Sequence, residues 1–275
     1  MTAVVLALAS AALFGAMTVA IRVGFRTHAG AAAATLATVL PAFAVVVAAA
    51  VVRHDPAGAA PFALAGLLAP GGSQILFTLA IREAGASRAS VTVGAAPLVA
   101  VALALLFLDE PLRLPLVAGA LAIVAGGVAL ASERERPEHL NARGLGYAVA
   151  ATVLFAVRDD LIRALHAHAS PETAAAATLA AGTVVAVAWT RRAPTRGELR
   201  AFAPAGILFG LSYVLLFEAY FRGRVSVVSP LVATESLWGV ALSALVFRHL
   251  EGVGRRLAIG AVLVVAGGVL IGATR

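Results

Sequence analysis

The chain has 275 residues, of which 61% are hydrophobic and 13% charged, and its mean hydropathy is +0.96. A soluble domain of this length carries roughly a quarter charged residues, so the composition excludes a water-soluble globular protein and points to a polytopic membrane protein. The net charge of +7 comes from arginines in short clusters between apolar runs, which reads as topology-setting loop charge and not as a nucleic-acid surface; the absence of cysteine excludes a disulfide framework, a thiolate nucleophile and a cysteine-ligated metal.

In chain order, ten apolar stretches reach the ~20 residues that a spanning helix needs: roughly 3–21, 30–52, 60–81, 88–108, 114–131, 144–164, 171–190, 201–221, 226–247 and 255–273. The first lacks a basic leader and runs into a string of others, so it reads as a retained spanning helix and not a cleaved signal. The third carries Pro70-Gly71-Gly72-Ser73-Gln74 at its middle. Such a run frees backbone amides and carbonyls inside the bilayer, which in transporters is where substrate binds, so Ser73 and Gln74 are candidate contacts. The glycine pairs Gly126-Gly127 and Gly267-Gly268 of the fifth and tenth stretches let helices approach closely.

The sixth stretch holds Arg158-Asp159-Asp160. A helix stopping before this triplet has only about 14 residues and cannot cross, so some of the charges lie below the headgroups or face water. Asp159 and Arg163, four apart, can pair along the helix, while Arg158 points about 100° away and either holds an anionic group of a substrate or snorkels to the interface. The eighth stretch sets Ser212 and Tyr213 at the depth of Gln74, with Glu218 and Tyr220 nearer its end. The ninth has Glu235 near its middle. An acid at that depth either carries a proton or is a structural acid at a helix contact. Trp238, one turn on, either stacks on a substrate or packs. His166 and His168 are too sparse for a zinc site, and no metal or cofactor motif is present.

The chain is internally duplicated. Residues 116–130 recur as 257–271, an offset of 141, with eight of fifteen positions identical, and Leu13-Phe14, Ile21-Arg22 and Glu110 recur at the same offset. At 140, Phe62, Gly66, Leu76, Phe77 and Arg82 match Phe202, Gly206, Leu216, Phe217 and Arg222. Each copy holds five stretches, and five is odd, so the second copy enters the membrane in the opposite sense: an all-α integral membrane fold of ten transmembrane helices in two inverted five-helix repeats, 1–137 and 138–275. The cavity is expected between the first, third, fourth, sixth, eighth and ninth helices, with the nearly nonpolar fifth and tenth at the periphery. Arginines divide 14 to 6 between alternate loops, which by the positive-inside rule sets both termini outside.

The segments 88–130 and 224–271 resemble the EamA-type drug/metabolite transporters: an Ala/Val-Ser-Val entry into a helix, a mid-helix Pro, an acid after an aliphatic run, then Gly-Ala and an apolar run with a glycine pair. The resemblance covers both halves. It implies ten helices in two inverted repeats around a central cavity, alternating-access movement of small organic solutes, often as export, and cytoplasmic termini, against the arginine count; the reading leans to cytoplasmic termini. In the second copy Ser236 stands where the first has Pro97.

The leading reading is a secondary transporter, without a cofactor, that moves a small metabolite or drug through a bacterial inner membrane, with Ser73, Gln74, Arg158, Asp159, Tyr213, Glu218 and Trp238 toward substrate and Glu235 toward a coupling proton. Its partners are then the solute, the lipid bilayer and protons, with no nucleic acid, in a monomer or homodimer. A non-transporting scaffold or receptor and, behind it, an intramembrane enzyme built on Asp159-Asp160 and the His pair are the alternatives.

Overall fold

The computed structural model describes residues 2–28, 30–53, 58–84, 92–111, 113–132, 142–246 and 255–273. Every element among them is helical: α1 Thr2–Gly24, α2 Ala31–Arg53, α3 Ala60–Gly66, α4 Ser73–Ala84, α5 Ala96–Phe107, α6 Leu114–Ser132, α7 Ala142–Ala164, α8 Pro171–Thr190, α9 Arg196–Arg222, α10 Val225–Val232, α11 Glu235–Val246 and α12 Arg255–Ala273. Among the described residues, five stretches are long and apolar enough to cross a membrane: Thr2–Gly24, Ala31–Val52, Ala60–Ala80, Pro171–Thr190 and Arg196–Arg222. The 27 residues of α9 extend about 40 Å, more than the roughly 30 Å of a hydrocarbon core. Shorter apolar helices, Ala96–Phe107 and Leu114–Ala129 among them, complete the set.

Local chemistry sets the ends. Pro171 opens α8 behind Ser170, whose hydroxyl accepts the Thr173 N–H. A capping box of Thr195 and Glu198 opens α9, and Arg192 clamps Glu198 from the preceding turn at 2.6 Å. Such caps satisfy amides that have no partner within the helix.

Two spans are interrupted. Between α3 and α4 the chain makes a π-type turn over Leu67–Gly72 in which Ala69 is extended (φ −144°, ψ 120°); Pro70 has no N–H to give, so the ladder fails there. The ninth stretch divides into α10 and α11 at Ala233-Thr234. No proline causes this second break. Thr234 Oγ1 donates to the Leu231 carbonyl at 2.7 Å and Ser236 Oγ to that of Ala233 at 3.1 Å, so side chains take up carbonyls at the turn. Glu235 is therefore the first residue of α11 and not a mid-helix acid.

The packing is reciprocal. Gly66 of α3 lies on the Thr178 carbonyl of α8, and Gly206 of α9 lies on the Thr38 carbonyl of α2; these are the same two positions, exchanged, at an offset of 140. Likewise a Cβ on Gly126 would sit 2.7 Å from the Gly260 carbonyl, and one on Gly119 would sit 2.9 Å from that of Gly267. Since lower numbers on α6 meet higher ones on α12, these helices cross antiparallel. Ser10 of α1 and Ser212 of α9 add a polar clamp, each hydroxyl donating to the other's carbonyl at 3.0 Å.

Candidate functional site

Six of the ten stretches meet around a cavity of about 70 Å³, room for a few waters or a small solute. Phe14, Met17 and Thr18 of α1 and Phe155, Arg158 and Asp159 of α7 face each other across it. Gln74 and Phe77 enter from α4 and Phe209 from α9. The fourth stretch supplies Val93, Gly94, Ala96 and Pro97, and the ninth supplies Ser229, Val232, Ala233 and Glu235. Neither α6 nor α12 reaches it; Gly126 and Gly267 are filled by the partner helix instead.

Arg158 and Asp159 are each 5% exposed. Arg158 Nε and Nη2 reach Asp159 Oδ1 at 2.8 and 2.7 Å, and Nη1 donates to the Tyr213 hydroxyl at 2.7 Å. The guanidinium lies 5.4 Å from the ring centroids of both Phe155 and Tyr213, a desolvated cation held by π faces. Ser229 Oγ approaches the other Asp159 oxygen at 3.4 Å. Glu235 has this pair as its charged neighbours. A guanidinium with donors to spare, two carboxyls and an aromatic wall can bind a small solute bearing both an apolar part and charge, and can store a proton.

The expected pairing of Asp159 with Arg163 does not form. Arg163 Nη1 donates to the Tyr220 and Phe221 carbonyls at 3.2 and 3.4 Å, because near the helix end backbone oxygens of α9 lie closer than an acid already engaged by Arg158. Nor does Arg158 snorkel, since Asp159 and Tyr213 bind it inside.

Of the residues expected at the site, Gln74, Arg158, Asp159 and Glu235 line the cavity, and Tyr213 stands behind it on Arg158. Ser73, Glu218 and Trp238 do not. Ser73 is fully buried one position, and so about 100°, from Gln74. Glu218 is paired with Arg222 at 2.6 Å. Trp238 is 41% exposed, with its Cβ against Gly15 where α11 crosses α1. His166 and His168 turn their Nδ1 atoms onto the carbonyls of Arg163 and Leu165. Sequence reasoning missed Ser229, Phe155 and Thr18; the last two are recoverable from the duplication, as counterparts of Phe14 and Asp159.

An all-helical bundle of apolar spans closed around a small cavity with buried charge is the construction of an integral, multi-pass membrane protein that handles small solutes. The chain belongs to the EamA-like transporter family, which matches residues 1–132 and, a second time, residues 142–273. A solved structure titled "Crystal structure of protein" is similar over 100% of this chain and 96% of its own, with a TM-score of 0.82 at 22% identity, a likeness of fold. No curated protein matches the chain.

Proposed function

We propose that the protein is a secondary transporter exporting a small organic metabolite or drug across a bacterial inner membrane by alternating access, driven by protons taken up and released at Glu235. The observation that carries the reading is the cavity itself: it draws on both halves, sits beside two helix interruptions, and holds Arg158, Asp159 and Glu235 in otherwise apolar walls. Gln74 and the Arg158–Asp159 pair contact the solute, and Tyr213 holds Arg158. The reciprocal glycine contacts and the antiparallel crossing of α6 and α12 support two inverted five-helix repeats, 1–137 and 138–275, totalling ten spans, because a two-fold axis in the membrane plane exchanges the copies in this way. Rocking one copy against the other around a fixed site then alternates access.

A thermal-shift screen of the purified protein against metabolites selects a compound, and proteoliposomes then test its movement under an imposed pH gradient. Accumulation of the compound against its gradient supports the reading. Binding without movement favours a receptor or scaffold, and chemical conversion favours an enzyme. Cytoplasmic termini give a fluorescent C-terminal green fluorescent protein fusion and an inactive alkaline phosphatase fusion; the opposite pair of results reverses the orientation.

A further inference from the structure

At the end of the bundle where α8 turns into α9, an open groove of about 470 Å³ lies between α2 and α8, apart from the central cavity. Thr190 Oγ1 donates to the Ala32 carbonyl at 3.1 Å and pins the last turn of α8 to the first turn of α2. Leu36 and Leu40 stand one and two turns further along α2, about 6 and 12 Å from that pin, and Val187 stands nearly one turn back along α8; all three line the groove. Both helices are long and apolar enough to cross a membrane, so this lower part of the groove lies at acyl-chain depth. Leu36, 2% exposed, belongs to its inner wall, and Val187, 49% exposed, to its open side.

The upper part is cationic. Arg191 and Arg192 line it with Pro194, and residues 190–200 hold four arginines against one acid, Glu198. Arg191 closes α8 in a left-handed conformation (φ 56°) with its N–H on the Val187 carbonyl at 2.9 Å, so its backbone is fixed at the top of the apolar wall. Arg192 Nη1 and Nη2 donate to Glu198 Oε2 and Oε1 at 2.9 and 2.6 Å, which engages the one acid and holds a second guanidinium at the rim. Arg191 is exposed, and no carboxylate among the described residues pairs with it.

We infer that this groove binds one anionic phospholipid, its phosphate on Arg191 with Arg192 beside it and an acyl chain along Val187, Leu36 and Leu40. The order of chemistry down the groove, guanidinium at the helix end and aliphatic side chains below, is that of the lipid itself. Guanidinium donors fork onto phosphate oxygens, and basic pockets between transmembrane helices hold anionic headgroups. A soluble anion has no use for the apolar wall, and a zwitterionic lipid brings no net charge to match the arginines. An arginine that only snorkels to water needs no groove beneath it. A lipid seated here bridges α2 of the first copy and α8 of the second. The inference stands on the membrane-spanning fold alone and is independent of the transport reading.

Native mass spectrometry of the full chain, released from detergent micelles and titrated with phosphatidylglycerol or phosphatidylcholine, counts bound lipids and gives the affinity of each step. The first phosphatidylglycerol should bind roughly five- to thirtyfold more tightly than the first phosphatidylcholine, the range that one to two arginines supply. Arg191→Gln should lower phosphatidylglycerol affinity about fivefold and leave phosphatidylcholine unchanged. Arg200→Gln, at the same end of the molecule but off the groove, should leave both unchanged. Val187→Trp fills the apolar part and should remove the high-affinity phosphatidylglycerol step while both arginines remain; Leu40→Trp fills the same space from α2 and replaces it if that variant does not fold. Equal affinities for the two lipids, equal losses for Arg191→Gln and Arg200→Gln, or an unchanged first step in the filled groove overturns the inference, the second result marking diffuse attraction to a basic surface.

Discussion

Removing one member of the Arg158–Asp159 pair should cost more than removing both. The two side chains are 5% exposed and joined at 2.8 and 2.7 Å, so Asp159→Ala leaves a buried guanidinium with only the Tyr213 hydroxyl as partner. Breaking a buried pair this way costs about 3–5 kcal/mol, whereas replacing both charges by apolar residues of similar volume is about neutral. Both side chains line the cavity, and water entering it relieves part of the penalty, so the lower end, about 3 kcal/mol, is expected for Asp159→Ala. Arg158→Met with Asp159→Leu should fall within about 1 kcal/mol of the parent. Unfolding by dodecyl sulfate titration in mild detergent, followed by the fluorescence of the two tryptophans, supplies the double-mutant cycle. If Asp159→Ala costs under about 1 kcal/mol and the double variant is simply additive, the pair is solvated and the site is not the dry, charged cavity described above.

In the same assay, Gly126→Ala should destabilise by about 1–3 kcal/mol, because its Cβ would meet the Gly260 carbonyl and Val264 Cγ2 at 2.7 Å. Gly146 has nothing within 4 Å of a built Cβ, so Gly146→Ala should stabilise α7 by roughly 0.5–1 kcal/mol; equal responses at the two sites would contradict the packing of α6 on α12. Ser10→Ala and Ser212→Ala should each cost about 0.5–1 kcal/mol, seen as earlier unfolding.

The span pattern was legible because a bilayer demands long apolar runs, and the duplication because glycine contacts such as Gly66 on Thr178 and Gly206 on Thr38 tolerate no side chain. The interruption at Pro70 was also legible, since proline removes a donor wherever it sits. That before Glu235 was not: hydroxyls of Thr234 and Ser236 carry it, and these residues occur as often in unbroken helices. Helical spacing predicted Asp159 with Arg163 but counts only neighbours along one helix, whereas Tyr213, from α9, fixed Arg158 beside Asp159. Trp238, open in the sequence between stacking on a solute and packing, sets its Cβ against Gly15 of α1 and is not among the residues that line the cavity.

The cavity walls repeat while their chemistry does not. Phe14, Met17 and Thr18 have Phe155, Arg158 and Asp159 as their counterparts at an offset of 141, and Val93, Gly94 and Ala96 have Val232, Ala233 and Glu235 at 139; all twelve line the cavity. Every charge therefore stands where the first copy has a neutral residue, and Ala96 is the counterpart of Glu235. If the two-fold cavity is the working unit and Glu235 acts through its proton, a carboxyl supplied from the other copy should serve. Glu235→Ala alone should lower pH-driven accumulation of the screened compound by roughly a hundredfold or more. Adding Ala96→Glu to that variant uses the volume that Glu235→Ala vacates and should return accumulation to within about tenfold of the parent, the remainder reflecting imperfect two-fold placement relative to Arg158. A double variant that folds and binds the compound yet stays uncoupled would show that the carboxyl must stand on α11, beside its own helix interruption, and that the symmetry of the walls does not extend to the proton.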